Sequence, residues 1–497
     1  MSTAFTGGGV LSPRADFTDV RAPTTRIGAM TLPPAARFPA LSQLSLPGSF
    51  ARPQGRTLNN IVVTLIACGL WLITLRLEVG GEYEAFAKRQ ILGLLTVHVA
   101  ITLAVLLFYL AVDGGYLGRL FSRSTFVIAA LGVLYVFAVG LVRNGNTLLF
   151  REECYAIRWF AVGFMLMRVA ITQKGIKLFL LLSAVATAVL LYLIMEKATS
   201  ETLADTSIRR VTTSNMWPVA YCGFISIGLM LNALWPLGTQ WQVVGLSALT
   251  TVIVVGSVRT STRSLFAVQA AMLVMTLFAL ARDPRMTAKL KWLNRLQLFL
   301  LAGVVLYLGR QIVTGRIFAS ISLISRRFLG SEGTGSMRIK ELTDMFADFG
   351  PIDWLFGGGL GSYFVTELGW WTARPHIAYF TWLQKGGLVI FLAATVLIYA
   401  RTMWSFAAAL LTKNRSARLS YAGMPKPILV VGPPLLAWFS TTFISGGFDN
   451  GSMLALGGLS ALWIQLEDET KLLLPARYGS HATSAVAANP FATNSIA

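Results

Sequence analysis

Arginine and histidine side chains are the groups in this chain whose types and spacing could act on a charged substrate. Arg259 and Arg263 lie close together, Arg338 and Arg374 follow further along, and His376 is one of only three histidines. A guanidinium binds phosphate oxygens through two parallel hydrogen bonds, and an imidazole can move a proton or donate to an anion near neutral pH. Together these residues would suit a pyrophosphate ligand and a proton transfer.

Arg259, the other two histidines and the tryptophans of this region also have a plain structural explanation. Arg259 could extend its guanidinium to lipid headgroups, which is as good an interpretation as ligand binding. His98 lies inside an apolar segment, as buried structural histidines do, and His481 lies in the C-terminal stretch without neighbouring motifs. Trp370 and Trp371 could stack on sugar rings, but an aromatic belt at a membrane interface explains them equally well.

The elements that must position these residues follow from composition. Of 497 residues, 55% are hydrophobic and only 13% are charged, which is more apolar than a soluble protein requires. A bilayer core about 30 Å thick needs roughly 20 apolar residues per spanning helix. We therefore predict an all-α integral membrane protein with about twelve transmembrane helices. The predicted spans lie near residues 59–76, 91–112, 125–142, 157–172, 176–195, 216–236, 242–257, 264–281, 296–312, 376–411, 427–447 and 452–466.

The net charge of +20 would suggest a nucleic-acid partner if it were considered alone. Its basic residues, however, are concentrated in the N-terminal tail and in the connections at 174–177, 282–295 and 413–426. Because positively charged connections stay cytoplasmic, both termini are predicted to be cytoplasmic. Since the charge is spread over separate loops, we expect a lipid bilayer and no nucleic acid as partner.

One outward-facing connection, residues 313–375, is far longer than the connections usual between bundled helices. It holds too much apolar surface for a solvated linker, so we predict that it is folded and contains short helices. The predicted organisation is a cytoplasmic disordered tail at 1–58, transmembrane helices 1–9 at 59–312, the outward loop at 313–375, transmembrane helices 10–12 at 376–466, and a cytoplasmic tail at 467–497.

Within this loop, residues 336–349 have the apolar spacing of an amphipathic helix. Gly350 and Pro351 are expected to end it. Its polar face would carry Arg338 and Lys340 toward a cleft or toward solvent. The helix is therefore predicted to bring basic side chains to the outward face, which Arg259, Arg263, Arg374 and His376 would share.

Two further features indicate structure more than chemistry. The run of glycines at 357–361 permits tight turns and close ligand approach, but it lacks the context of a phosphate-binding or dinucleotide-binding loop, so a plain turn is the simpler interpretation. Cys68, Cys154 and Cys222 show no metal-ligand spacing. We expect no metal, no disulfide scaffold and no cofactor.

Three motifs in residues 240–410 together resemble the O-antigen ligase and Wzy-type polysaccharide polymerase superfamily. The resemblance is one of order and spacing, and the N-terminal half matches only in hydropathy. The motifs are Thr262-Arg263-Ser264, then Arg338 followed by Trp354-Leu355-Phe356-Gly357-Gly358-Gly359-Leu360-Gly361-Ser362, then Pro375-His376-Ile377-Ala378-Tyr379-Phe380-Thr381-Trp382-Leu383 with Gly386-Gly387.

This resemblance implies a metal-independent membrane glycosyltransferase with a GT-C-like fold in a bacterial inner membrane. Its donor would be a glycan on undecaprenyl pyrophosphate, and its acceptor a glycan or lipid A-core at the periplasmic face. Chain-length regulators or export proteins would be further partners. The resemblance assigns Arg263 and Arg338 to the pyrophosphate and His376 to the acceptor side. We predict these three as catalytic residues, and we predict as substrate-binding residues Arg259, Lys340, Arg374 and Trp371.

The chain departs from the family pattern at two places. Ile377 follows the histidine where the family commonly has asparagine, so that amide's role is absent or supplied elsewhere. Arg263 stands in Thr-Arg-Ser and not in the commoner Ser-Arg.

The residues leave several functional questions open. Polysaccharide polymerase is preferred narrowly over O-antigen ligase. A transporter or flippase for a lipid-linked or anionic substrate is the alternative from another class, and a structural membrane subunit is a third. Asp344, Asp348 and Glu367 are reserve candidates for the general base.

Overall fold

The computed structural model describes part of the chain. The described residues are 57–77, 90–91, 95–173, 175–176, 178–186, 189, scattered positions between 272 and 299, 334–367, 369, 371–372, 374–412, 426–444 and 451–468. They are mostly helical, as predicted, with two short antiparallel strand pairs that the sequence analysis did not predict.

The N-terminal described part consists of apolar helices joined by short connections. A hydrogen bond from the main-chain N–H of Phe150 to the Thr147 hydroxyl caps the fifth helix. The elements are α1 Thr57–Leu77, β1 Gln90–Ile91, β2 Leu95–Thr96, α2 Val97–Asp113, α3 Tyr116–Phe121, α4 Ser124–Asn144 and α5 Leu148–Thr172.

The C-terminal described part begins within the predicted outward loop. An amphipathic helix was predicted at 336–349, and the structure has α6 at Thr334–Asp348, ended by Gly350 as expected. The elements are α6, then α7 Pro351–Phe356, β3 Phe364–Val365, β4 Trp371–Thr372, a short 3-10 turn Ala378–Phe380, α8 Thr381–Ala394, a π-helical turn Thr395–Ala400, α9 Arg401–Leu411, α10 Pro427–Ile444 and a last helix α11 at 451–468.

Three of the described helices are long and apolar enough to cross a membrane, namely Phe126–Asn144, Leu148–Thr172 and the continuous stretch Ala378–Leu411. Shorter apolar helices occupy Asn59–Thr74, Val99–Asp113 and Pro427–Ser440. The protein is therefore a helical membrane protein on the part described. The predicted spans near 216–236, 242–257, 264–281 and 296–312 lie wholly or almost wholly outside the described residues, so the count of about twelve stays a prediction.

Helix α5 is the centre of the described bundle. It packs against α1, α2 and α4, and its buried side chains include Trp159 and Leu166, each about 1% exposed or less. By contrast, α4 leaves an apolar flank uncovered, with Leu131 and Leu134 each about 60% exposed. Exposed leucines in a row on a helix long enough to span a bilayer indicate a surface that faces lipid.

A polar cluster joins helices at the C-terminal end of α5. Arg168 donates to Asp113 at 2.7 Å, and its guanidinium lies 3.6 Å from the centre of the Tyr116 ring. Arg123 pairs with Asp468 of α11. These contacts tie α2, α3, α5 and α11 together near the C-terminal end of α5.

Candidate functional site

His376 and Glu341 form the side-chain pair in the described structure that is best suited to chemistry. The imidazole Nδ1 lies 2.9 Å from Oε2 of Glu341, and the same oxygen accepts a hydrogen bond from the main-chain N–H of His376 at 3.0 Å. The Glu341 side chain is 8% exposed, whereas the His376 side chain is 65% exposed. A buried carboxylate therefore holds an imidazole that is otherwise mostly exposed.

Aromatic packing places α6 beside the chain that follows His376. Phe346 of α6 stacks on Trp354 of α7, with ring centres 5.4 Å apart, and meets the edge of Phe380 at 5.7 Å. Phe380 in turn stacks on Phe391 of α8 at 5.9 Å. Such ring pairs add stability beyond the area they bury, so the apolar side of α6 is anchored on α7 and α8. Glu341 reaches His376 from this anchored helix.

Arg338 and Lys340 lie on the same helix as Glu341. Arg338 is half-buried and lies three residues before Glu341, so the two side chains leave α6 on one face. Lys340 is 58% exposed and pairs with Glu367, whose hydrogen bond and negative charge raise the pKa of Lys340 above its ordinary value. The amine consequently stays protonated. Of the predicted residues, Arg338 thus lies on the face of α6 that carries Glu341, and Lys340 forms an exposed ion pair with Glu367.

Arg374 lies in a different set of contacts, which is centred on the buried carboxylate of Glu153. Its Nε lies 3.2 Å from Oε1 of Glu153, and Nζ of Lys385 lies 2.8 Å from the same oxygen. The other oxygen, Oε2, accepts the main-chain N–H of Gly361 at 2.5 Å. Glu153 and Lys385 are 4% and 7% exposed, so this cluster is enclosed by protein. Arg374 was predicted to bind substrate, and the structure directs it to Glu153.

The glycine run makes its close approach to the protein's own helices. The main-chain N–H groups of Gly358 and Gly359 donate to carbonyls of α8 at 2.8 and 3.0 Å, and that of Leu360 donates to Val136 of α4 at 3.2 Å. Gly359 has a φ of +74°, and a Cβ there would collide with the main chain of Gly140. Its N–H groups are therefore used within the fold, which agrees with a structural turn more than with a ligand cradle.

Two polar residues at the end of α4 add further hydrogen bonds between α4 and the segment that contains the glycine run. Arg143 Nη1 donates to Asp353 at 2.6 Å and to the Gly357 carbonyl at 3.1 Å. The Asn144 amide donates to the carbonyls of Gly358 and Leu360 at 2.9 and 3.0 Å. The predicted alternation puts the α4–α5 connection and the 313–375 loop on one side of the membrane, and the structure has the two in contact. Which side is periplasmic stays a prediction.

Some of the remaining predicted residues lie outside the described residues, and the others lie within them. Arg259 and Arg263 lie outside the described residues, so their distance from His376 is not defined. Trp371 lies in β4, where it pairs in register with Val365 of β3. Among the reserve bases, Asp344 accepts the main-chain N–H of Glu367 at 3.0 Å, and Glu367 pairs with Lys340. Within the described part of the chain, no group of three or more His, Cys, Asp or Glu side chains could hold a metal ion.

Sequence reasoning missed three of the residues that organise this region. Glu341 lies in the helix predicted at 336–349 but was not singled out. Glu153 and Lys385 were not singled out, although Lys385 interrupts a predicted span. A charge inside an apolar span is costly without a partner, and that cost is the signal that could have found Lys385.

In chemical terms, this part of the described structure offers one exposed imidazole backed by a buried carboxylate, with an arginine on the same helix face. This arrangement can accept a proton from a hydroxyl and can attract an anion. No family model matches the chain, and neither the search of curated proteins nor that of solved structures finds a match. The resemblance to O-antigen ligases and Wzy-type polymerases rests on the sequence motifs.

Proposed function

We propose that the chain is a metal-independent membrane glycosyltransferase that moves an oligosaccharide from undecaprenyl pyrophosphate to a hydroxyl acceptor at the periplasmic face of a bacterial inner membrane. The observation that carries the proposal is the exposed imidazole of His376 held by the buried Glu341 carboxylate. An imidazole held in this way is suited to take a proton from an acceptor hydroxyl.

The reaction requires a base on the acceptor side and positive charge on the donor side. The acceptor oxygen attacks the anomeric carbon, His376 takes the hydroxyl proton, and the bond from that carbon to the pyrophosphate oxygen breaks. The leaving pyrophosphate departs with the electron pair, and cationic groups stabilise the charge that develops on it. Arg338, three residues before Glu341 on α6, is suited to this role, and Arg263 is the second arginine that the motifs assign to it.

The direct test is transfer by purified protein in lipid nanodiscs, with a synthetic undecaprenyl-pyrophosphate oligosaccharide as donor and a glycan as acceptor. His376→Ala, Arg338→Ala and Arg263→Ala should each lower the rate by about 100-fold or more, because each removes an interaction made in the transition state. His481→Ala, the same change in the C-terminal tail, is the control and should leave the rate unchanged. Unaltered transfer by all three variants would overturn the proposal.

Polymerase action is the preferred form of this function, and a ligase is close behind. A strain without the protein separates the two forms through its glycan banding pattern. Loss of long chains indicates a polymerase, whereas glycan of normal length that accumulates on the carrier indicates a ligase. If the purified protein shows no transfer but donor-dependent movement of lipid between leaflets, the transporter alternative replaces both.

A further inference from the structure

We propose that Glu341 is a positioning residue that fixes the tautomer of His376, with the proton on Nδ1 and the lone pair of Nε2 facing outward. This inference rests on the proposed function for its chemical meaning. Its structural content, the tautomer itself, can be measured without any transfer reaction.

The first argument is the geometry of a single oxygen atom. Oε2 of Glu341 accepts the main-chain N–H of His376 at 3.0 Å and lies 2.9 Å from Nδ1 of the same residue. Because Oε2 already acts as the acceptor for the main-chain N–H, we place the proton of its contact with the ring on Nδ1. In a neutral imidazole the other nitrogen then carries the lone pair.

The second argument is the contrast in exposure within the pair. Glu341 is 8% exposed and His376 is 65% exposed, so the shielded edge of the ring is the one with Nδ1. Two contacts to one residue, one from its main chain and one from its ring, fix both the position and the rotation of the imidazole. The Nε2 edge is consequently the exposed edge of the ring, where a ligand could reach it.

The third argument is that α6 has other anchors. Met345 is fully buried, and Phe346 packs on Trp354 and Phe380. These contacts lie one turn beyond Glu341 and do not involve its carboxylate. Replacing Glu341 should therefore change the histidine more than it changes the helix, which separates a positioning role from a purely structural one.

In the proposed reaction, this arrangement defines the path of the proton. The acceptor O–H bond breaks, its proton goes to Nε2, and the oxygen forms its bond to the anomeric carbon as the pyrophosphate leaves with its electron pair. The imidazolium that results is stabilised by the Glu341 carboxylate at Nδ1. Release of that proton to water restores the neutral ring.

The test is nitrogen NMR of the full-length protein in nanodiscs with ¹⁵N-labelled histidine. Because the chain has only three histidines, the signals that disappear in His376→Gln identify His376. In its neutral form, His376 should show a protonated Nδ1 and an unprotonated Nε2. Glu341→Gln should shift the ring toward the Nε2-protonated form, whereas Glu367→Gln, the same change at a 62% exposed carboxylate of the same region, should not.

Kinetics provide the second measurement. Glu341→Gln should lower kcat by about 10- to 100-fold with little change in KM for the donor, and Glu341→Asp should recover part of the loss. A neutral ring with its proton on Nε2 in the unaltered protein would overturn the inference, as would a tautomer that does not respond to Glu341→Gln. Full transfer by His376→Ala, Arg338→Ala and Arg263→Ala would instead refute the proposed function and leave the tautomer measurement valid.

Discussion

Two carboxylates, Glu153 and Glu341, are buried in the described structure near the glycine run and His376, and their surroundings differ. Glu153, on α5, is shared by Arg374, Lys385 and the main-chain N–H of Gly361. Glu341, on α6, has His376 as its partner, and that partner is 65% exposed. The Glu153 carboxylate is enclosed by its partners, whereas the Glu341 carboxylate holds a side chain that is mostly exposed.

This difference separates what holds the region together from what can react. Burial of a charge is costly unless opposite charges and hydrogen bonds surround it, and Glu153 has both. Its cluster connects α5, the glycine run and α8. The Glu341 pair instead uses burial to orient a single ring. Changes at the first region should therefore appear in stability, and changes at the second in activity.

The largest loss of stability is expected for Glu153→Gln, because it leaves Lys385 enclosed without its carboxylate. Removal of one partner of a buried ion pair typically costs about 3–5 kcal/mol. Thermal unfolding in detergent, followed by tryptophan fluorescence, should show a correspondingly lower midpoint.

Glu152→Gln provides the matched control, since Glu152 is the adjacent residue on α5 and is exposed. It should unfold as the unaltered protein does. Adding Lys385→Met to Glu153→Gln should restore part of the lost stability by removing the orphaned charge. Equal stability of the Glu152 and Glu153 variants would break the distinction between the two regions.

Gly359→Ala should give the next largest effect on stability. The positive φ costs an alanine about 1–2 kcal/mol, and its collision with the Gly140 main chain adds about 1–3 kcal/mol. Gly369→Ala isolates the first contribution, because Gly369 has a φ of +77° with open space around it. If both variants unfold at the same temperature, the close approach of the glycine run to α4 does not contribute to stability.

His376→Gln should, by contrast, lower activity and leave stability nearly unchanged. Its side chain is mostly exposed and loses one hydrogen bond, so the free energy of unfolding should change by about 1 kcal/mol or less. Under the proposed function, transfer should nevertheless fall by about 100-fold or more. Unfolding and transfer measured on the same preparation check both statements. A large destabilisation would place His376 with the structural residues.

Lys340→Gln should give the smallest effect. Exposed ion pairs such as Lys340–Glu367 contribute little to stability, so the unfolding midpoint should not move measurably. If Lys340 also binds the donor, KM for the donor should rise a few-fold, and the effect should weaken with added salt. Transfer kinetics at low and high ionic strength test this, and an unchanged KM would remove Lys340 from the substrate-binding residues.

Much of the described fold follows from local sequence patterns. The helix predicted at 336–349 lies at Thr334–Asp348, because its apolar spacing and the terminating Gly350 are local signals. The fourth predicted span, 157–172, lies within α5, which starts earlier, at Leu148. Arg151, Glu152 and Glu153 lower the hydropathy there, and Glu153 finds its partners in distant segments.

The site could be predicted only in part, for the same reason. His376 stood out by rarity and by its motif, whereas its partner Glu341 is 35 residues away along the chain. The pairing of Glu153 with Arg374 spans 221 residues. Helical spacing and hydropathy carry no information about such contacts. The role of Arg263 beside His376 stays a prediction.

The contacts of Glu153 also have a consequence for biosynthesis. The residues that neutralise and hydrogen-bond it are made at least 208 residues later than Glu153 itself. At common elongation rates of about 5–20 residues per second, the carboxylate waits roughly 10–40 s for its first partner on the nascent chain. During that interval the partners that the described residues provide for Glu153 have not yet been made. The contacts around Glu153 are thus made late in synthesis, and a chain truncated before Gly361 would leave the ribosome without any of these partners.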